Sequence, residues 1–94
     1  MPEVRFRIRW PDDTVMRAYS PSSTIRDALR VGHAYPVAEF VQRSRDALEH
    51  GSQRVAQRYG FGCGQAAAQI REIEHTAQRF DPQTQTVTVE AFEA

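Results

Sequence analysis

Apolar and polar residues alternate strictly near the start of the sequence, which predicts a β-hairpin. In residues 4–10, VRFRIRW, four apolar residues alternate with three arginines. A period of two, with aromatic and β-branched residues on one side, is typical of a strand that buries one face. The turn-forming segment 11–13, Pro-Asp-Asp, follows, since Pro presets φ and Asp tolerates tight turns. Residues 14–20 are then predicted to form the returning strand.

The register of this hairpin follows from its apolar positions. Pairing Ile8 with Met16 and Phe6 with Ala18 places apolar residues opposite one another, whereas a slip of one residue would bring Arg17 into the core. The same register puts a second set of side chains together on the opposite, open face of the sheet. That set consists of Arg5, Arg7, Arg9, Val15, Arg17 and Tyr19.

The middle of the chain shows helical periodicity. A short helix is predicted over residues 24–30, and Gly32 ends it. Pro36 suits the first turn of a long helix, whose apolar residues follow a spacing of three and four up to Tyr59. Gly51 within this helix predicts close approach of another backbone segment. A second helix is predicted over residues 64–80, ended by Asp81-Pro82.

Residues 85–93, QTVTVEAFE, alternate again and predict a third strand. Val87, Val89 and Ala91 are expected to point inward, and Thr86, Thr88, Glu90 and Phe92 outward. The predicted fold is α+β, in the order β-β-(short α)-α-α-β. Its three-stranded sheet has strand order 2-1-3, with the third strand parallel to the first and a helical hairpin on one face. The core is predicted to contain Phe6, Ile8, Phe40, Leu48, Ile70, Ile73 and Val89.

Composition narrows the class of protein. With 94 residues, 40% of them apolar, the chain fits a single domain over residues 1–94 with one compact core. Its formal net charge is zero, so nucleic-acid binding is not expected. All 12 basic residues are arginine, which indicates either a GC-rich codon bias or selection for planar contacts to anions. The single cysteine suits a reducing cytoplasm. No signal peptide or membrane span is predicted.

Several segments resemble a small bacterial family of nitrogen-starvation response proteins. The resemblance rests on MPEVRFRIRWPDDT, YSPSSTIRD, YPVAEFVQRSRDALEHGSQRVAQRYGF followed by Cys63, IREIE and VTVEAFE, and so it spans nearly the whole chain. It implies that the gene lies beside a nitrilase, in a cluster for scavenging nitrogen from nitriles or cyanide. It implies no catalytic residue, cofactor or mechanism.

Cys63 lies among three glycines just before the second predicted helix. A thiol at a helix N-terminus has a lowered pKa and an increased thiolate fraction, so Cys63 is a candidate nucleophile. Gly62 and Gly64 would let a ligand approach the backbone. The alternative is that Cys63 is a small buried residue in the turn between two helices, and that the glycines only allow the turn.

His33 and Tyr35 are candidate functional residues because they lie in the loop before the long helix, and loops often carry function. No two histidines have the spacing of four that suits a metal on one helix, and no CxxC motif occurs. A metal site or another cofactor is therefore not predicted.

The open face of the sheet is the largest candidate binding surface. Arg5, Arg7, Arg9, Arg17 and Tyr19 would form a basic surface with one aromatic ring, suited to an anionic ligand or an acidic patch on a partner. The alternative is a solvated face with cross-strand Arg–Glu pairs. The leading hypothesis is a non-catalytic accessory protein of nitrogen-scavenging metabolism that binds a protein partner or forms a homodimer. The homodimer is predicted to use the third strand or the open face of the sheet, because residues 85–92 of the third strand would be an edge with a single charged residue. The alternative hypothesis is a small enzyme or carrier-like protein that uses Cys63.

Overall fold

The computed structural model of the protein describes residues 3–60 and 64–93. Within these residues, four strands and three helices follow one another in an α+β arrangement. In chain order they are β1 (Val4–Arg9), β2 (Val15–Ser20), α1 (Ile25–Ala28), β3 (Ala34–Pro36), α2 (Val37–Tyr59), α3 (Gly64–Ala77) and β4 (Thr86–Glu93).

The predicted hairpin between β1 and β2 is confirmed. Ile8 pairs with Met16 and Phe6 with Ala18 in an antiparallel register. The backbone N–H of Trp10 donates to the carbonyl of Thr14 at 2.9 Å, which closes a three-residue loop. Asp13 ends this loop with φ at 66°, a left-handed conformation that Asp adopts more readily than most residues and that three-residue hairpin loops use.

The sheet has four strands, in the order β2-β1-β4-β3, so the predicted three-stranded order 2-1-3 is incomplete. The missing strand is β3, which pairs antiparallel with the start of β4. Because β3 carries the chain across the sheet once more before the long helices, the last strand enters in the opposite direction. It therefore runs antiparallel to β1, and the prediction of a parallel pair is wrong.

β4 also departs from the predicted alternation of its side chains. Its pairing with β1 shifts between Arg7 and Ile8, which marks a β-bulge. Beyond the bulge, Ala91 lies opposite Arg7 on the open face. Phe92 lies opposite Phe6 in the core, with 6.1 Å between the ring centroids. The predicted directions of Ala91 and Phe92 are therefore both wrong, because the extra residue reverses the order of the two faces.

The helices cover one face of the sheet and enclose the core. Phe6, Ile8, Phe40, Leu48, Ile73 and Val89 are buried as predicted, whereas Ile70 is half-buried against them. The sole tryptophan, Trp10, is buried between Phe40 and Phe80, stacking on the latter at a centroid distance of 5.9 Å. Gly51 marks the predicted close approach, since a Cβ there would lie 3.0 Å from Pro21 and Ser22 side-chain atoms.

Candidate functional site

The open face of the sheet carries the predicted arginines. Arg5, Arg7 and Arg9 alternate with buried residues along β1 and are exposed, as is Arg17 on β2. Tyr19, at the end of β2, is half-buried. The strict alternation of β1 therefore brings the five predicted residues onto one surface, which we call the basic face.

Glu90 of β4 bridges two of these arginines. One carboxylate oxygen accepts a hydrogen bond from Nε of Arg7 at 3.2 Å. The other accepts a hydrogen bond from Nε of Arg9 at 2.8 Å and lies 2.7 Å from Nη2 of the same guanidinium. The hydrogen bond from Arg9 lowers the pKa of Glu90, an effect opposed by partial desolvation of the carboxylate. Glu90 is therefore ionised at neutral pH and holds both guanidinium groups in place.

A second acidic residue of β4 meets the arginine of β2. Nη2 of Arg17 donates to both carboxylate oxygens of Glu93, at 3.2 and 3.3 Å. Arg5 lies over the ring of Tyr19, with 5.8 Å between Cζ and the ring centroid, which is within cation–π range. The expected cross-strand Arg–Glu pairs are thus present. The pair with Glu93 was missed because the bulge places that residue on the open face.

The basic face keeps a positive charge after this pairing. Four arginines stand against two glutamates at the outward positions of β1, β2 and β4, which leaves a formal charge of +2. Within the described residues Arg5 has no ion pair. Asp13 of the hairpin loop also lies 3.7 Å from Nη1 of Arg9, which lowers the formal charge to +1 when that loop is counted. The face therefore keeps a small positive charge in a chain whose formal net charge is zero.

Tyr35 is a structural residue of β3. It is 4% exposed, and its hydroxyl accepts a hydrogen bond from the backbone N–H of Arg30 at 2.9 Å. The guanidinium of Arg43 lies over its ring, and the ring of exposed His33 lies 4.4 Å away. Tyr35 thus ties the loop before β3 to α2. Only His33 of this predicted pair is accessible to a ligand.

Two residues of the predicted glycine–cysteine site, Gly62 and Cys63, lie outside the described residues. Gly64 is the exposed first residue of α3. Over residues 3–60 and 64–93, no group of three or more His, Cys, Asp or Glu side chains could hold a metal ion. In the same ranges, no helix combines the length and the apolar content that crossing a bilayer requires.

These features define a small α+β domain whose helices cover one face of an antiparallel sheet and leave a basic face open. Residues 5–92 match the family described as nitrogen starvation-induced protein NitG. The chain therefore belongs to the NitG family of nitrogen starvation-induced proteins. No curated protein and no solved structure matches it.

Proposed function

We propose that the protein is a non-catalytic interaction protein of the nitrogen-starvation response, and that its basic face binds a negatively charged surface of a partner protein. The observation that carries the proposal is the excess of arginine over glutamate at the outward strand positions of this face, in a chain of zero net charge. Family membership gives the physiological setting. The resemblance described above narrows that setting to nitrogen scavenging from nitriles or cyanide, and the single cysteine suits a place in the cytoplasm.

The side-chain geometry favours carboxylates as ligands of this face. Arginine presents a planar fork that matches a carboxylate. Glu90 and Glu93 already hold the guanidinium groups of Arg7, Arg9 and Arg17, so these side chains lose less freedom when a partner binds. Arg5 offers its guanidinium to a carboxylate of the partner. Exposed ion pairs stabilise a fold only slightly, so a binding role explains this arrangement better than stability does.

Complementation in cells tests the proposal. A strain lacking the gene receives the wild-type gene or the double variant Arg5→Gln/Arg7→Gln, which removes two charges from β1 and leaves the Arg9–Glu90 contact in place. The matched control is Arg30→Gln/Arg71→Gln, which removes two exposed arginines elsewhere on the surface. We expect the first variant to lose growth under nitrogen starvation and the control to grow like wild type. Growth of the β1 variant at the wild-type rate would contradict a role for the basic face.

Cys63→Ala separates this proposal from the enzyme alternative in the same strain. A non-catalytic protein keeps its function without the thiol, whereas a thiol enzyme does not. Alkylation of the purified protein against pH gives a second measurement. We expect an apparent thiol pKa at or above the ordinary value of about 8.5. Failure of Cys63→Ala to restore growth, together with a lowered thiol pKa, would favour the enzyme.

A further inference from the structure

The two edges of the sheet differ in how well they are protected. β3 forms one edge, has only three residues and ends in Pro36. Short strands and proline are common means of blocking an edge. β2 forms the other edge, with six residues and no proline. Its one charged side chain, Arg17, points to the basic face and not along the edge. β2 is therefore the edge that can accept another strand.

Backbone groups along this edge are only partly satisfied. Because Trp10 pairs with Thr14 through a backbone hydrogen bond, alternation makes Val15, Arg17 and Tyr19 the residues whose N–H groups point away from β1. The N–H of Tyr19 donates to Oε1 of Gln69 on α3 at 3.0 Å. The N–H groups of Val15 and Arg17 have no partner in the part of the chain that the structure describes.

A groove runs beside these two residues, between β2 and α3. Its volume is about 380 Å³, and its walls include Val15, Met16 and Arg17 on one side and Glu72 and Thr76 on the other. Val15 is 47% exposed, which makes it one of two large exposed hydrophobic residues among those described. An edge strand beside a helix is the arrangement in which peptide-binding domains accept an extended segment as an added strand.

We propose that this groove binds an extended segment of a partner protein as a fifth strand of the sheet, with the N–H groups of Val15 and Arg17 donating to its carbonyls. The inference rests on the proposed function, because it assigns a second contact to the same interaction protein. The added strand is short. It ends before Tyr19, because the side chain of Gln69 already accepts the hydrogen bond from the N–H of Tyr19.

The walls of the groove determine which side chains the segment carries. Residues opposite Val15 and Arg17 point to the basic face, where a carboxylate meets Arg17 as that of Glu93 does. The residue opposite Met16 points to the helical side, beside the half-buried thioether of Met16. The segment therefore alternates acidic and apolar residues, as β4 does around Val89 and Glu90.

Fluorescence anisotropy with a labelled peptide Thr-Val-Glu-Val-Glu-Thr measures this binding directly. The key variant is Val15→Pro, which removes one edge N–H and keeps every hydrogen bond to β1, since proline is tolerated on edge strands. Val15→Thr is the matched control, because it alters the side chain and keeps the N–H. Amide NMR spectra of each variant test whether it is folded. A second peptide with lysine in place of glutamate tests the charge.

We expect the glutamate peptide to bind wild type and Val15→Thr alike, and to bind Val15→Pro roughly fivefold to tenfold more weakly, as loss of one backbone hydrogen bond implies. The amides of Val15 and Arg17 should become protected from hydrogen exchange in the complex. Equal binding by Val15→Pro, or unchanged exchange of both amides, overturns the proposal. Self-association that saturates the groove without peptide and is lost in Val15→Pro also overturns it, because the occupant is then a second copy.

The two proposals fail separately in this measurement. Arg7 lies opposite Arg17 of the groove, whereas Arg5 lies opposite Tyr19, beyond the end of the added strand. The single variant Arg5→Gln should therefore bind the peptide within about twofold of wild type, and its growth is measured beside that of the double variant. Loss of growth in Arg5→Gln with intact peptide binding supports the basic face alone. Loss of peptide binding in Val15→Pro with normal growth overturns a role for the groove in the nitrogen-starvation response. The proposal that the basic face binds a partner is not affected by that result.

Discussion

The side chain of Gln69 accepts a hydrogen bond from the backbone N–H of Tyr19, with 3.0 Å between Oε1 and N. Gln69 is only 7% exposed, although it lies on a helix whose other buried residues are Ala66 and Ile73. This bond ties α3 to the edge strand β2 and closes one end of the groove beside it. A buried side-chain amide on the helix thus satisfies a backbone N–H group at the edge of the sheet.

Replacing Gln69 by Leu should destabilise the protein by about 1–2 kcal/mol, because a buried hydrogen bond is lost and the N–H of Tyr19 loses this acceptor. Gln65→Leu is the control, since Gln65 is exposed on the same helix. Urea unfolding followed by the fluorescence of Trp10 gives the free energy of unfolding for both variants. Equal free energies of unfolding for Gln69→Leu and wild type would show that the hydrogen bond does not stabilise the fold.

Leu48→Ala should lower the free energy of unfolding by about 2–5 kcal/mol, as is usual for truncation of a fully buried leucine. Leu48 has no exposed surface and lies on the face of α2 that meets the sheet. Gln53→Ala, at an exposed position of the same helix, should change stability little. A loss below about 1 kcal/mol for Leu48→Ala in denaturant melts would mean that the buried face of α2 is assigned incorrectly.

Glu90 should make the stability of the protein depend on pH in the acidic range. Its pKa is lowered in the folded state, chiefly by the hydrogen bond from Arg9. Its contribution is therefore fully present above the unfolded pKa of about 4.3 and is lost as the pH falls through the lower folded value. The difference in stability between wild type and Glu90→Gln should shrink over this interval.

Thermal melts between about pH 6 and pH 3 measure that difference. Glu3→Gln is the control, because it removes one negative charge at an exposed position that has no part in the contacts of Glu90 with Arg7 and Arg9. A constant difference between wild type and Glu90→Gln over the whole interval would mean that the contact with Arg9 contributes nothing to folding.

The homodimer inferred from the sequence stays a prediction, but the structure reduces the number of surfaces through which it could form. It was expected to use the open face or the edge of the last strand, but β4 lies inside the sheet, between β1 and β3. Of the two predicted dimer surfaces, only the basic face is therefore accessible to a second copy. Because its excess of arginines would face the same excess on a second copy, such a dimer should strengthen as salt screens the repulsion.

Light scattering at micromolar concentration decides the matter. A mass that stays near the 10.7 kDa of one chain at all concentrations contradicts the dimer. Thr88→Lys adds a positive charge to the half-buried centre of the face and should weaken a dimer that uses it. A dimer unaffected by this change would have to use the helical side of the molecule.

The hairpin was predictable because the alternation of β1 leaves one acceptable register. Every shift by one residue exchanges Phe6 and Ile8 for arginines, and the energetic cost of burying arginine rules that out. The basic face follows from the same alternation. Its residues could be found from the sequence because each strand contributes them at a fixed period of two.

β3 could not be found in the same way. Its three residues are too few to show a period, and Pro36 reads as a helix start because it directly precedes α2. The bulge in β4 was hidden for another reason. Ala91 is apolar and continues the spacing of Val87 and Val89, so the sequence does not show that the two faces exchange after Glu90. Both features depend on strand pairing and not on local pattern.

The central position of β4 has a consequence for how the chain folds. β4 follows the other six elements in the sequence, yet it lies between β1 and β3 and pairs with both. During synthesis the β1–β2 hairpin can form early, but the apolar residues of β1 lack their second neighbour until residues 86–93 have left the ribosome. Closing so long a loop is slow. A nascent chain halted before Thr86 therefore presents an open strand of alternating apolar residues, which is a site for chaperone binding or aggregation.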